Sequence, residues 1–139
     1  MPVTLHEQEA RRDTLSGAVY GQPITVTQDA TNAADVAVIH AAAAECIDCV
    51  WIQVHNAHTA DVTLNLAVNP ADTTVLLDIT STAIPVSIPA LGSLWVLQGD
   101  TVRLRGSNTW AIAAYVATGD AGRLRVTGYV VRTRTASLY

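Results

Sequence analysis

Several residue types are scarce in this 139-residue chain. It has no Phe, no Lys and one Met, so its hydrophobic half is mostly Ala, Val, Ile and Leu, and every basic residue is Arg. Long apolar runs are also missing. The stretches 41–44 and 110–117 fall well short of the ~18 residues that a membrane span needs. The opening segment MPVTLHEQEARRD is polar and carries acids, which fits neither a signal peptide nor a transit peptide. The expectation is a soluble protein made in a cytoplasm. No Gly-x-Ser-x-Gly elbow, P-loop or dinucleotide fingerprint occurs, so no catalytic or cofactor-binding residue is assigned.

A length of 139 residues suits one domain with one real core. The formal net charge of −4 conceals an asymmetry. Residues 1–100 hold eleven acids against two arginines, whereas residues 101–139 hold six arginines against one acid. A weakly acidic total argues against general nucleic-acid binding, which rests on neutralising phosphates. The split suits contact between copies or within one molecule. The exclusive use of Arg has two readings: an interface role, since its planar fork matches a carboxylate, or a codon preference of the genome.

From Ile24 onward the sequence alternates with period two, the mark of strands that bury one face. The pattern is clearest in Val62, Leu64, Leu66 and Val68, which alternate with Thr63, Asn65 and Ala67. Further strands are expected at 24–28, 36–40, 50–55, 74–79, 86–88, 93–97, 101–105, 109–118 and 123–134. Turn chemistry separates them, as in Asn69-Pro70-Ala71-Asp72, Gln98-Gly99-Asp100 and Gly119-Asp120-Ala121-Gly122. Pro85 and Pro89 cannot donate to a ladder and predict a sheet edge. The expected fold is all-β, an antiparallel β-sandwich or jelly roll over 24–139. Residues 1–23 form an N-terminal arm, extended or briefly helical. Thr4-Leu5-His6-Glu7 has the form of a capping box, and Ser16-Gly17 is a reasonable stop.

The stretch ECIDCVWIQVHNAH, 45–58, carries two Cys and two His at three-residue spacings. Zinc would need all four to converge, but an extended chain puts Cys49 and His55 ~20 Å apart. A redox CxxC sits at a helix start, whereas this one opens a strand. The preferred reading is a strand and a turn, with Cys46, His55, Asn56 and His58 in turns. A Cys46–Cys49 disulfide and a metal protein remain open alternatives.

Arg103 and Arg105 flank Leu104, and Arg123 and Arg125 flank Leu124, so each pair points to one side of its strand. If the two strands share a sheet, the four could make one patch. That patch is either a solvated face or an interface for carboxylates of a neighbour. Leu5, Arg11 and Arg12 of the arm and Trp95 complete the interface candidates, Trp being favoured where binding energy concentrates.

Three blocks, WIQVHNAHTADVTLNLAV at 51–68, IPALGSLWVLQGDTVRLRGS at 88–107 and RLRVTGYVVR at 123–132, resemble small virion proteins of tailed bacteriophages. The resemblance implies a β-sandwich that coats or completes the particle. It would be a capsid decoration protein bound to the major capsid protein or other virion proteins, a homo-oligomer such as a trimer, located in the virion and assembled in the bacterial cytoplasm. It brings no catalytic residues, and CIDC departs from its pattern. A neck or tail accessory protein and a glycan-binding module on the tail are the alternatives.

Overall fold

The computed structural model describes residues 10–27, 37–70, 84–105 and 110–134. They form nine strands: β1 Arg11–Thr14, β2 Ile24–Thr25, β3 Ala37–Ala41, β4 Cys46–Asn56, β5 Val62–Pro70, β6 Ile84–Ile88, β7 Ser93–Arg105, β8 Trp110–Val116 and β9 Leu124–Arg134. One sheet has the order β1-β9-β4-β7, with β2 also on β9; the other is β3-β8-β5-β6. Every registered pair is antiparallel.

The pairing is nested. The innermost hairpin is β5–β6, then come β4–β7 and β3–β8, and β1 and β2 close outermost on β9. One long hairpin folded over on itself in this way is a jelly roll, the two-sheet solution that encloses a core between antiparallel layers. Within the expected class of sandwich or jelly roll, the topology is the second.

Alternation explains why each strand sits as it does. In β4 the buried residues are Asp48, Val50, Ile52, Val54 and Asn56, while the odd positions between them are half-exposed. Val50, Ile52, Leu64, Ile88, Leu104, Ile112 and Leu124 are fully buried between the sheets. Aliphatic side chains of this size fill the ~10 Å gap without aromatic rings, each burial being worth ~1.5–3 kcal/mol. Pro85 lies on β6, the edge strand of the four-stranded sheet, where its missing N–H breaks no ladder bond.

One expectation is narrowed here and two are corrected. Of the extended or briefly helical arm, Arg11–Thr14 takes the extended form as a strand on β9, and Leu15 behind it is buried in the core. The capping box at Thr4 and the candidate Leu5 lie outside the described residues. Gly17 follows, its amide donating to the Ile39 carbonyl at 3.1 Å, so close to β3 that a Cβ would collide with the Val38 carbonyl. The segment after β1 therefore straps one sheet to the other.

Residues 93–97 and 101–105, expected as separate strands about a turn, belong to one strand, β7. Its register slips: Arg103 faces Cys49, yet Gly99 faces the next residue, Val50. The extra residues form a bulge, and Gly99 supplies the positive φ of 62° that the bend requires. Finally, Cys46 and Asn56 are strand residues of β4, not turn residues, and His55 keeps its place in the alternating strand instead of the turn after it. Asn56 points inward and its amide donates to the carbonyls of Ala60 (2.9 Å) and Ile88 (3.0 Å). Its Oδ1 accepts from the His58 amide at 2.9 Å, which ties the following loop to β6.

Candidate functional site

The Cys/His stretch does not converge. Cys46, Cys49 and His55 lie along one extended strand, and Cys49 and His55 are six residues apart, or ~20 Å. Cys46 and Cys49 are not joined in a disulfide. His55 lies between two hydroxyls, with Nδ1 2.6 Å from Ser93 Oγ and Nε2 3.0 Å from Thr127 Oγ1.

The structure instead assembles a group that the sequence did not suggest. Asp48 is the one carboxylate at an inward position of β4, and it is completely buried. Its Oδ2 lies 2.6 Å from Nε2 of His40, also fully buried, on β3 of the opposite sheet. Arg132 of β9 grips the same carboxylate with two bonds, Nε to Oδ1 at 2.8 Å and Nη2 to Oδ2 at 3.0 Å. Its Nη1 donates to Asp13 of β1 at 3.0 Å. On the far side of the imidazole, the Ser16 amide donates to His40 Nδ1 at 3.0 Å. Since Nδ1 accepts, the ring proton sits on Nε2 and is donated to Asp48.

Burial works to raise the Asp48 carboxyl, but the hydrogen bonds from His40 and Arg132 and the Arg132 charge outweigh it and hold the group at about 2. Arg132 is raised, chiefly by its hydrogen bond to Asp48. Ser16, His40 and Asp48 share the residue types of a nucleophilic triad without its geometry. The Ser16 hydroxyl accepts from the Ala41 amide at 2.7 Å, and the imidazole meets the serine amide rather than its oxygen. Both ring nitrogens are engaged and the ring is sealed from solvent. The cluster ties two sheets and the strap together; it offers no reacting atom to a substrate. One signal could have found it: a carboxylate at an inward position of an apolar strand requires a buried cation or donor nearby.

The outward face of the five-stranded sheet is the other feature. Residues opposite one another in an antiparallel sheet share a face, so the odd positions of β4 define it. Trp51 stacks on Tyr129 of β9, with ring centroids 5.3 Å apart and planes 10° from parallel. The Arg12 guanidinium of β1 covers the other side of Tyr129, 4.2 Å from its centroid. On the β7 side Gly99 backs the indole, where a Cβ would come within 2.5 Å of the ring. A ladder of four residues thus crosses β1, β9, β4 and β7.

The expected four-arginine patch is not formed, although its strands do share the sheet. β4 lies between them, and Arg103 is level with Cys49 while Arg125 is level with His55, six residues or ~20 Å along. Arg105 falls further away, opposite Ile47. Arg123 precedes β9 and pairs with Asp120 in its own turn, at 2.6 Å. Arg11 is exposed and 4.0 Å from Asp13. Trp95, opposite Gln53, stands on the outward face with 42% of its surface exposed.

No family model matches the sequence, and no curated protein matches it. Among solved structures, a chain from the structure of infectious bursal disease virus Gx strain is similar with a TM-score of 0.39 and 14% identity. The match covers 96% of this chain and 35% of that one. The class defined by the strand order is the eight-stranded jelly roll, with β1 and β2 counting as one interrupted strand.

Proposed function

We propose that this chain is a structural protein of a tailed-phage virion, a capsid decoration protein that binds the shell and sister copies non-covalently and catalyses nothing. The observation that carries this reading is the division of labour between the two sides of β4. Its buried titratable group is locked into holding the sheets together, while the outward side is a broad sheet face of aromatic and arginine side chains. Jelly rolls are a recurrent scaffold of capsid domains. The three phage-like blocks fall on β4–β5, β6–β7 and β9, and so include β4, β7 and β9, the long strands of that face. A contact of ~1,600 Å² repeated over a lattice would give tight avidity without any single strong site.

The test is binding to shells purified without this protein. Saturation at a fixed ratio per capsomer is expected. Binding to isolated tails but not to shells would move the protein to the neck or tail.

A glycan-binding module on the tail is the second reading, favoured by exposed Trp95 close to the Ser93–His55–Thr127 hydroxyl and imidazole group. Retention on a host polysaccharide, lost in Trp95→Ala, would support it over decoration.

A further inference from the structure

The outward face of the five-stranded sheet has a feature that composition does not reveal: the charged residues at its paired positions are all arginines. They include Arg12, Arg103 and Arg125. The inward positions hold the carboxylates Asp13 and Asp48, both bound to Arg132. Arg12 and Arg125 are exposed, and neither is ion-paired among the described residues.

We infer that this face docks on an acidic surface of a different protein, its arginines pairing with carboxylates around an aromatic centre; the inference rests on the assembly reading above. Size supports it. With β4 eleven residues long and four strands abreast, the face measures roughly 36 by 19 Å, or about 700 Å². Stable interfaces bury about 600–1,000 Å² on each partner, a range that includes this face. Its layout is also that of an interface, with Trp51 and Tyr129 central and exposed Trp95 as an anchor. The ladder is held rigid by its own contacts, so little side-chain freedom is lost on docking.

Two other occupants fit less well. A single-stranded nucleic acid would stack its bases on aromatic faces. Here Tyr129 is covered on both sides, by Arg12 and Trp51, and Gly99 backs the indole. The arginines also stand at separate corners of a flat sheet and do not line a groove. A second copy of this chain would need an acidic patch of its own. The described loop acids Glu45, Asp61 and Asp120 lie in three separate loops, with Glu45 3.9 Å from Arg134 and Asp120 paired to Arg123. The registered outward positions of the four-stranded sheet, such as Thr63, Asn65 and Ser87, carry no charge.

Full-length protein is sedimented with shells purified without it, in four forms whose fold is checked by circular dichroism: wild type, Arg12→Glu/Arg125→Glu, Trp95→Ala, and Asn65→Glu on the opposite sheet. The double reversal and Trp95→Ala are expected to weaken binding at least tenfold and Asn65→Glu less than twofold, with wild-type affinity falling as salt rises. Equal binding by wild type and the double reversal overturns the docking face and leaves the decoration reading intact. If wild type binds no shell, decoration fails. The face is then read by NMR titration of the wild type with an oligoglutamate peptide and with oligo(dT). Shifts at Trp51, Tyr129 and Arg125 with oligoglutamate alone sustain the carboxylate partner. Preference for oligo(dT), dimerisation through this face, or no shift with either overturns it.

Discussion

Nε2 of His40, on the edge strand of one sheet, lies 2.6 Å from a carboxylate oxygen of Asp48, on an inner strand of the other. The bond is buried completely at both ends. Hydrophobic contact between two sheets is tolerant of sliding, whereas a directed bond between buried polar groups is not. With Arg132 on the second side of the carboxylate and the Ser16 amide behind the imidazole, the cluster fixes β3, β4, β9 and the strap in one arrangement.

Removing one member should therefore cost more than a surface ion pair would. Asp48→Ala leaves Arg132 and His40 facing each other without an acceptor, and the expected loss is about 3–5 kcal/mol. His40→Ala strips the strap amide of its acceptor as well. In urea unfolding, the double variant should lose less than the sum of the singles, because the two share one bond. Strict additivity would mean the pair is not coupled.

Acid should act through the same carboxylate. Asp48 sits at about 2 when folded against an ordinary value near 3.8, so the folded state binds its proton less readily than the unfolded one. Its contribution is complete above about pH 4, declines as pH falls through 2, and amounts to about 2 kcal/mol. Urea midpoints measured from pH 6 down to 2 should show this decline in the wild type. Asp48→Asn should lack that component. Arg132, raised further from neutrality, stays charged throughout that range.

Gly99→Ala meets two obstacles at once, a φ of 62° and the Trp51 ring 2.5 Å from the new methyl. A loss of about 2–3 kcal/mol is expected, with a changed Trp51 emission as the ladder shifts. Gly119→Ala makes a control. Its φ is 96°, but no atom lies within 4 Å of the added carbon, so only the backbone cost of ~1 kcal/mol should appear. Equal losses would mean that Trp51 yields freely.

The two thiols should stay apart. Cys46 and Cys49 are three residues apart on one extended strand, which separates their Cα atoms by ~10 Å, beyond the ~7 Å limit for a disulfide. Mild oxidation of dilute protein should form no intrachain bridge, and mass spectrometry after alkylation should find two modified cysteines. A loss of two mass units would require β4 to fray at its start.

Period-two alternation made the strands legible, and Pro85 marked an edge, because both are local properties of the chain. What lay out of reach depended on distant partners. Arg103 and Arg125 can share a sheet and still miss each other, since β4 and its register decide where each one stands. Gln98-Gly99-Asp100 has the composition of a hairpin turn, yet β4 runs past it and pairs on both sides, turning it into a bulge. Asn56 looked like a turn residue by type. Its inward place in the alternation was the better guide, because a buried amide can satisfy the loop that follows it. Asp48 fitted the same alternation, but nothing local named His40 or Arg132 as its partners.

β9 touches β1, β2 and β4, and is the last of the described strands to be synthesised. Of the larger sheet, only the β4–β7 ladder can form before residues 124–134 leave the ribosome, and the contact between Arg11 and Arg132 closes a loop of most of the chain. Folding of the larger sheet should thus be slow and wait for β9, with the earlier strands exposed meanwhile. Until β9 pairs, the larger sheet has no complete face, so any partner that docks there must wait for the folded molecule.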